Sequence, residues 1–191
     1  MPLPLSFSIT TSRFSLRSPS ESDIPAIFEA TRDPHFNEGM VWDPPESHEE
    51  LLAFHQSSLR EWKEGTRYLF SIYMKDSNTL CGRISLRLEG AEEHRSKEWS
   101  IGYFTLPSFQ GKGVMSECVA ALLRVAFEDL AIPRIEASYA VWNEASKRVL
   151  TRNGFLFDRH TLEGFKKRGE WVAEDIVVIE RSRWLHLNGA T

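Results

Sequence analysis

The stretch Phe109-Gln110-Gly111-Lys112-Gly113-Val114-Met115-Ser116 combines the residue types that hold an anion, and it lies between a strand-like run, Trp99 to Leu106, and an amphipathic one. Two glycines in a tight turn let backbone N–H groups approach an anion without Cβ interference. A helix that starts there adds its partial positive N-terminus, and Lys112 adds a full charge. The spacing excludes two common phosphate sites. A P-loop needs Gly-Lys-Ser/Thr after a longer loop, and a dinucleotide fingerprint needs Gly or Ala where Ser116 stands. Metal chemistry has no support, because Cys81 and Cys118 form no Cys-x-x-Cys pair and the 6 histidines include no His-x-x-x-His.

The elements around that stretch follow from periodicity. Alternation at Arg13 to Arg17 predicts a strand, and Ser18 to Asp23 signals a turn into a helix with Ile24, Ile27 and Phe28 on one face, ended by Asp33-Pro34. Phe36 to Pro45, with Asn37, Gly39, Trp42 and two prolines, reads as an irregular binding-type loop. Ser47 with Glu50 matches a capping box for a helix carrying Leu51, His55, Leu59 and Trp62, stopped by Gly65. Tyr68 to Met74 and Leu80 to Leu88 read as a hairpin, Glu89 to Lys97 as a charged connection and Glu98 to Leu106 as a strand. A helix from Val114 to about Leu130 presents a wide apolar face, and Arg134 to Ala140 is a strand. Asn143 to Arg152 is a short helix stopped at Asn153-Gly154. Phe155 to Leu162 and Asp175 to Glu180 close the chain as an antiparallel pair. This order predicts an α/β (α+β) sandwich, a mixed and mostly antiparallel sheet flanked by helices, in one domain over 1–191.

Composition narrows the function classes. With 41% hydrophobic and 26% charged residues the chain is of ordinary globular type, and no apolar run approaches the roughly 20 residues of a membrane span. The first ten residues lack a basic region and a long apolar stretch, so a cytoplasmic protein is expected. A net charge of −4 argues against a nucleic-acid binder and suits a cationic substrate.

Gln110-Gly111-Lys112-Gly113-Val114-Met115 resembles Gln/Arg-x-x-Gly-x-Gly/Ala, the pyrophosphate loop of the GNAT N-acetyltransferases. Met115 departs from the last position. Gln-Gly-x-Gly-x-Met looks like the branch named for the ribosomal-protein N-terminal acetyltransferases (RimJ/RimL-like). Ile101-Gly102-Tyr103 before the loop, and Asn143-x-x-Ser146-x-x-Val149-Leu150 ending in Asn153-Gly154-Phe155, extend the resemblance over nearly the whole chain.

The resemblance implies acetyl-CoA as cosubstrate and a primary amine as acceptor, a protein N-terminus or a small molecule. Backbone groups of Phe104, Thr105 and Leu106 would bind the pantetheine arm. Gln110, Gly111, Lys112, Gly113, Val114, Met115 and Ser116 would bind the pyrophosphate, and Asn143 would hold the arm at the next helix. Lys147, with Arg148 and Arg152, could meet the remaining phosphate; the alternative is a solvated basic face. Many relatives carry a Tyr where Leu150 stands. Leu150 cannot donate a proton, so Ser146 is the implied acid. Glu98 is the candidate base, sharing a strand face with Ser100 and Gly102 and acting directly or through water. Cys81 and Cys118 read as small buried hydrophobes. Trp42 and Trp142 either line a groove or pack. A non-catalytic acyl-CoA-binding domain is the rival reading, and the sequence gives neither acceptor identity nor oligomeric state.

Overall fold

Among the described residues, eight strands form one sheet in the order β1-β2-β3-β4-β5-β6-β8-β7. They are β1 (Ser8–Thr10), β2 (Phe14–Arg17), β3 (Arg67–Met74), β4 (Leu80–Glu89), β5 (Glu98–Thr105), β6 (Arg134–Ala140), β7 (Leu156–Lys167) and β8 (Glu170–Glu180). The helices are α1 (Ile24–Ala30), α2 (Pro34–Glu38), α3 (His48–Glu64), α4 (Val114–Arg124), α5 (Glu144–Arg152) and α6 (Arg181–Leu187). The computed structural model describes residues 1–89 and 98–189. Of the charged connection expected at 89–97, Glu89 ends β4 and the rest lies outside the described residues.

Period-two alternation sorts β3 between two layers. Phe70 and Ile72 are fully buried in one cluster with Val119 and Leu122 of α4. The intervening Ser71 and Tyr73 donate their hydroxyls to the buried carboxylate of Asp23, just before α1. Helix α4 therefore covers one face and α1 the other. Neighbouring strands run antiparallel everywhere but at β5 and β6, which are parallel and pair only at Trp99↔Ile135 and Ser100↔Glu136. Beyond those two pairs β5 continues to Thr105 and β6 to Ala140 without each other. The sheet opens there into a gap.

Several boundaries differ from the sequence expectations. Within the segment expected to be irregular, Pro34 opens a short helix and Asp33 caps it by accepting from the N–H of His35 at 2.9 Å, so Asp33-Pro34 starts an element as well as ending one. The long helix expected over Val114 to Leu130 is α-helical only to Arg124. Val125–Asp129 is a π turn, in which the N–H of Leu130 donates to the carbonyl of Val125 at 3.0 Å. The box at Ser47 is half formed: Ser47 accepts from the N–H of Glu50 at 3.4 Å, while the Glu50 carboxylate accepts from Glu46 at 2.9 Å. Gly65 stops α3 in the left-handed region at φ 74°, as its position predicts. The closing pair is longer than its periodicity suggests, and β1 and α6 are additions.

Candidate active site

Gly111 and Gly113 adopt φ 71° and 73°, and Gly113 precedes α4. A Cβ on Gly111 would meet nothing within 4 Å, so the left-handed backbone, and not crowding, requires glycine there. Among the described residues no side chain caps α4, which leaves the N-terminal N–H groups of this 11-residue helix for an external acceptor. Val114 and Met115 bury their side chains in the core, so they can serve an anion only through the backbone. Ser116 is tied to the following helix, because Asn153 Nδ2 donates to its carbonyl at 3.3 Å. The Gln110 amide donates to the Thr105 carbonyl at 3.5 Å, and the Lys112 ammonium stands 5.5 Å from the centre of the Phe109 ring.

A brace that the sequence did not signal comes from Arg13, at the mouth of β2. Its Nη1 donates to the Lys112 carbonyl at 3.0 Å, its Nε to Glu117 at 2.7 Å, and its backbone N–H to the same carboxylate at 2.9 Å. The loop is thereby pinned from both ends, 99 and 104 residues away in sequence. Nothing in the local pattern around Arg13 could reveal this.

From the cradle the gap runs back between β5 and β6. Phe104 and Thr105 pair with Arg83 and Gly82 of β4 and lie beyond the last pairing of β5 with β6, beside the gap. Leu106, also expected to bind the arm, has backbone partners of its own. Its N–H donates to the Cys81 carbonyl at 2.8 Å and its carbonyl accepts from Phe109 at 2.9 Å, so only the second lone pair of that carbonyl is left for the arm. Gly82 is required by close approach: a Cβ there would lie 2.2 Å from the Phe104 carbonyl oxygen and 3.0 Å from the Thr105 Cα.

After the parallel β6, Asn143 caps α5, its Oδ1 accepting from the Ser146 N–H at 3.0 Å. The Ser146 hydroxyl lies 2.8 Å from the Tyr103 hydroxyl of β5, so a polar bridge joins the two sides of the opening. Leu150 is buried in the core.

These features match a known family over most of their length. An acetyltransferase (GNAT) domain model matches residues 13–156. This chain belongs to the GNAT family. YjcK of Bacillus subtilis (strain 168), described as a probable N-acetyltransferase, is 32% identical over 114 residues, covering 59% of this chain and 61% of that protein. The ribosomal-protein-serine acetyltransferase of Escherichia coli (strain K12) is 29% identical over 127 residues, 66% of this chain and 65% of its own. Mycobacterium smegmatis RimJ, solved with a CoA disulfide, superposes with TM-score 0.77 at 20% identity over 97% of this chain and 96% of that one. The fold class and the RimJ/RimL-like branch expected from the motifs agree with these relatives.

Three further side chains come from β5 and α5. Glu98 Oε2 lies 3.5 Å from Arg134, which also meets Glu180, Glu136 and Asp158. By alternation Glu98 faces the side of β5 opposite to Tyr103, about 17 Å further back along the strand. The structure therefore brings Ser146 and Tyr103 together but not Glu98. Ser100, between them, donates its hydroxyl to Glu89 at 2.7 Å and accepts from Arg87 at 3.1 Å. Lys147 is half exposed and 3.7 Å from Glu144, one turn back on α5.

Two contacts hold the segment around Trp42. Trp42 packs edge-on against Phe104 and Phe36, at centroid distances of 6.1 and 6.3 Å, whereas Trp142 is 52% exposed. Lys167, ending β7, donates to the carbonyls of Asn37, Glu38 and Met40 and so ties the β7–β8 hairpin to the end of α2. Cys81 and Cys118 are buried as expected.

Proposed function

We propose that this GNAT domain moves the acetyl group of acetyl-CoA to the α-amine of a protein N-terminus. The observation that carries the reading is the alignment of an uncapped helix N-terminus with a strand-width gap in the sheet. The first suits a pyrophosphate and the second an extended arm that pairs like a strand. The N–H groups of Gly111 to Ser116 would hold the phosphates, helped by Lys112, and Phe104 and Thr105 would hold the arm. Asn143 would set the start of α5 beside it, and Lys147 would meet the remaining phosphate.

In this reading the amine attacks the thioester carbonyl and Ser146 donates to the departing sulfur. Glu98 acts on the incoming ammonium only through water, given its distance along β5. An α-amine with pKa near 8 is about a tenth neutral at pH 7, whereas a lysine near 10.4 is neutral roughly four times in ten thousand. A site whose candidate carboxylate is engaged with Arg134 favours the first. A relative named for a serine of a ribosomal protein supports a protein acceptor. No described helix is long and apolar enough to cross a membrane, and the reading places the enzyme in the cytoplasm.

The test is an acceptor screen with acetyl-CoA, following free thiol release, then mass spectrometry on peptides that carry both an α-amine and a lysine. Preferential α-acetylation is expected. Preferential ε-acetylation would remove the α-amine reading, and tight acetyl-CoA binding with no thiol released on any acceptor would favour a binding-only domain.

A further inference from the structure

We infer that Tyr103 is a positioning residue that holds and polarises the Ser146 hydroxyl, so that the serine proton is aimed into the gap at the departing sulfur. The inference rests on the reading of Ser146 as the proton donor. Ser146 is located twice over: Asn143 fixes its backbone N–H at 3.0 Å, and the phenol of Tyr103 fixes its side-chain oxygen at 2.8 Å. Asn143 and Ser146 belong to one helical turn, but Tyr103 comes from 43 residues away on the far side of the opening. A serine alone on a helix turn has staggered rotamers to choose from, and one of them bonds back to the preceding turn. A partner across the gap selects one.

The direction of the bond follows from acidity and surroundings. A phenol, with an ordinary pKa near 10, is the stronger donor of the two hydroxyls. Burial pushes the Tyr103 phenol well above that value, and its bond to Ser146 opposes the rise only in part. Tyr103 therefore stays protonated at neutral pH and keeps its proton throughout. Its hydroxyl also lies 3.4 Å from the Ser146 carbonyl, which competes for the same single proton, but the serine oxygen at 2.8 Å is the nearer acceptor. With the serine oxygen accepting from Tyr103, its own hydrogen is left for the sulfur, and donation into one side of a hydroxyl strengthens donation from the other.

The protons balance without a tyrosinate. The ammonium first gives one proton to water. After attack, the nitrogen of the tetrahedral adduct carries one proton too many. That proton passes to the Ser146 oxygen as the serine proton passes to sulfur, the C–S bond breaks, and CoA leaves as the thiol. Serine and tyrosine end as they began.

The decisive test is made on the free protein. Ser146→Cys puts a titratable thiol in place of the hydroxyl, and its alkylation rate against pH reports its pKa; Cys81 and Cys118 are buried, with thiols that burial pushes up, and contribute little. A phenol donating to the thiolate should set the pKa about one unit lower with Tyr103 than in a Tyr103→Phe background. Fluorotyrosine at 103, the same shape with a stronger donor, should lower it further. Superimposable titration curves in the Tyr and Phe backgrounds would overturn the inference. In kinetics, Tyr103→Phe should lower kcat about tenfold with little change in KM for acetyl-CoA, and should cost nothing more in a Ser146→Ala background. If Ser146→Ala alone keeps the full rate, the proton-donor reading fails, while the thiol titration still decides whether Tyr103 holds the group at 146.

Discussion

Gly113 is the residue with least freedom in the cradle. At φ 73° an L side chain costs about 1–2 kcal/mol, and a branched one would also press on the Arg13 guanidinium 3.5 Å from the Cβ position. Gly113→Val should weaken acetyl-CoA binding at least tenfold while the protein stays folded, as calorimetry would show. Unchanged affinity would remove the loop from the site. Ser146→Ala should cost roughly 10²-fold in kcat and little in acetyl-CoA affinity, because its hydrogen bond matters mainly as charge develops on sulfur. Both residues were legible in the sequence, since glycine spacing and a motif serine are local signals. Tyr103 was visible only as part of Ile101-Gly102-Tyr103, and Arg13 only as the start of a strand. Their roles depend on pairings 43 and about a hundred residues apart, which no local pattern encodes.

At the scale of elements, the spacing of strands β4 and β5 is set by one missing Cβ. Gly82→Ala would place a methyl 2.2 Å from a backbone carbonyl that cannot swing away, at a cost of about 1–3 kcal/mol. A lower melting temperature and weaker cofactor binding should appear together, because the strand displaced is the one lining the gap; an unchanged melting temperature would show that the sheet absorbs the group. The contact of β2 with α4 should instead respond to pH. Burial raises the Glu117 pKa, but bonds from Thr11 and from the backbone and side chain of Arg13 outweigh it, so the carboxyl sits below its ordinary 4.5. Its contribution, at most about 1 kcal/mol for a partly exposed pair, is complete above pH 4.5 and disappears as pH falls through the folded value. The melting-temperature advantage of the wild type over Glu117→Gln should therefore shrink below that pH. Periodicity located β2, β4, β5 and the start of α4. It could not foresee the π turn after Arg124 or the short helix inside Phe36 to Pro45, where hydrogen bonding and a proline cap decide within a single turn.

For the molecule as a whole, the layer between α3 and the sheet holds a second acid-sensitive group. His55 is 3% exposed and its Nδ1 has no hydrogen-bond partner among the described residues. Burial first, and the Arg83 charge second, hold its pKa below 6.5. A histidine kept neutral by the fold lends stability above its unfolded pKa and withdraws it as pH falls below, so melting temperature should decline from pH 7 towards pH 5.5. That slope should flatten in His55→Gln. A slope equal in both proteins would point to carboxylates instead.

The two residue pairs that join β5 to β6 have a mechanical meaning as well. The eight strands behave as a five-stranded leaf and a three-stranded leaf sharing a short seam, with the rest of the join held by helices. A ligand arm lying in the opening would act as the stitching between the leaves, so binding energy becomes cohesion of the fold. At a hundredfold excess over Kd such a ligand adds about 2.7 kcal/mol. Amide exchange should record where that goes: β6 and β8, which never touch the phosphate end, should slow as much as the loop that does.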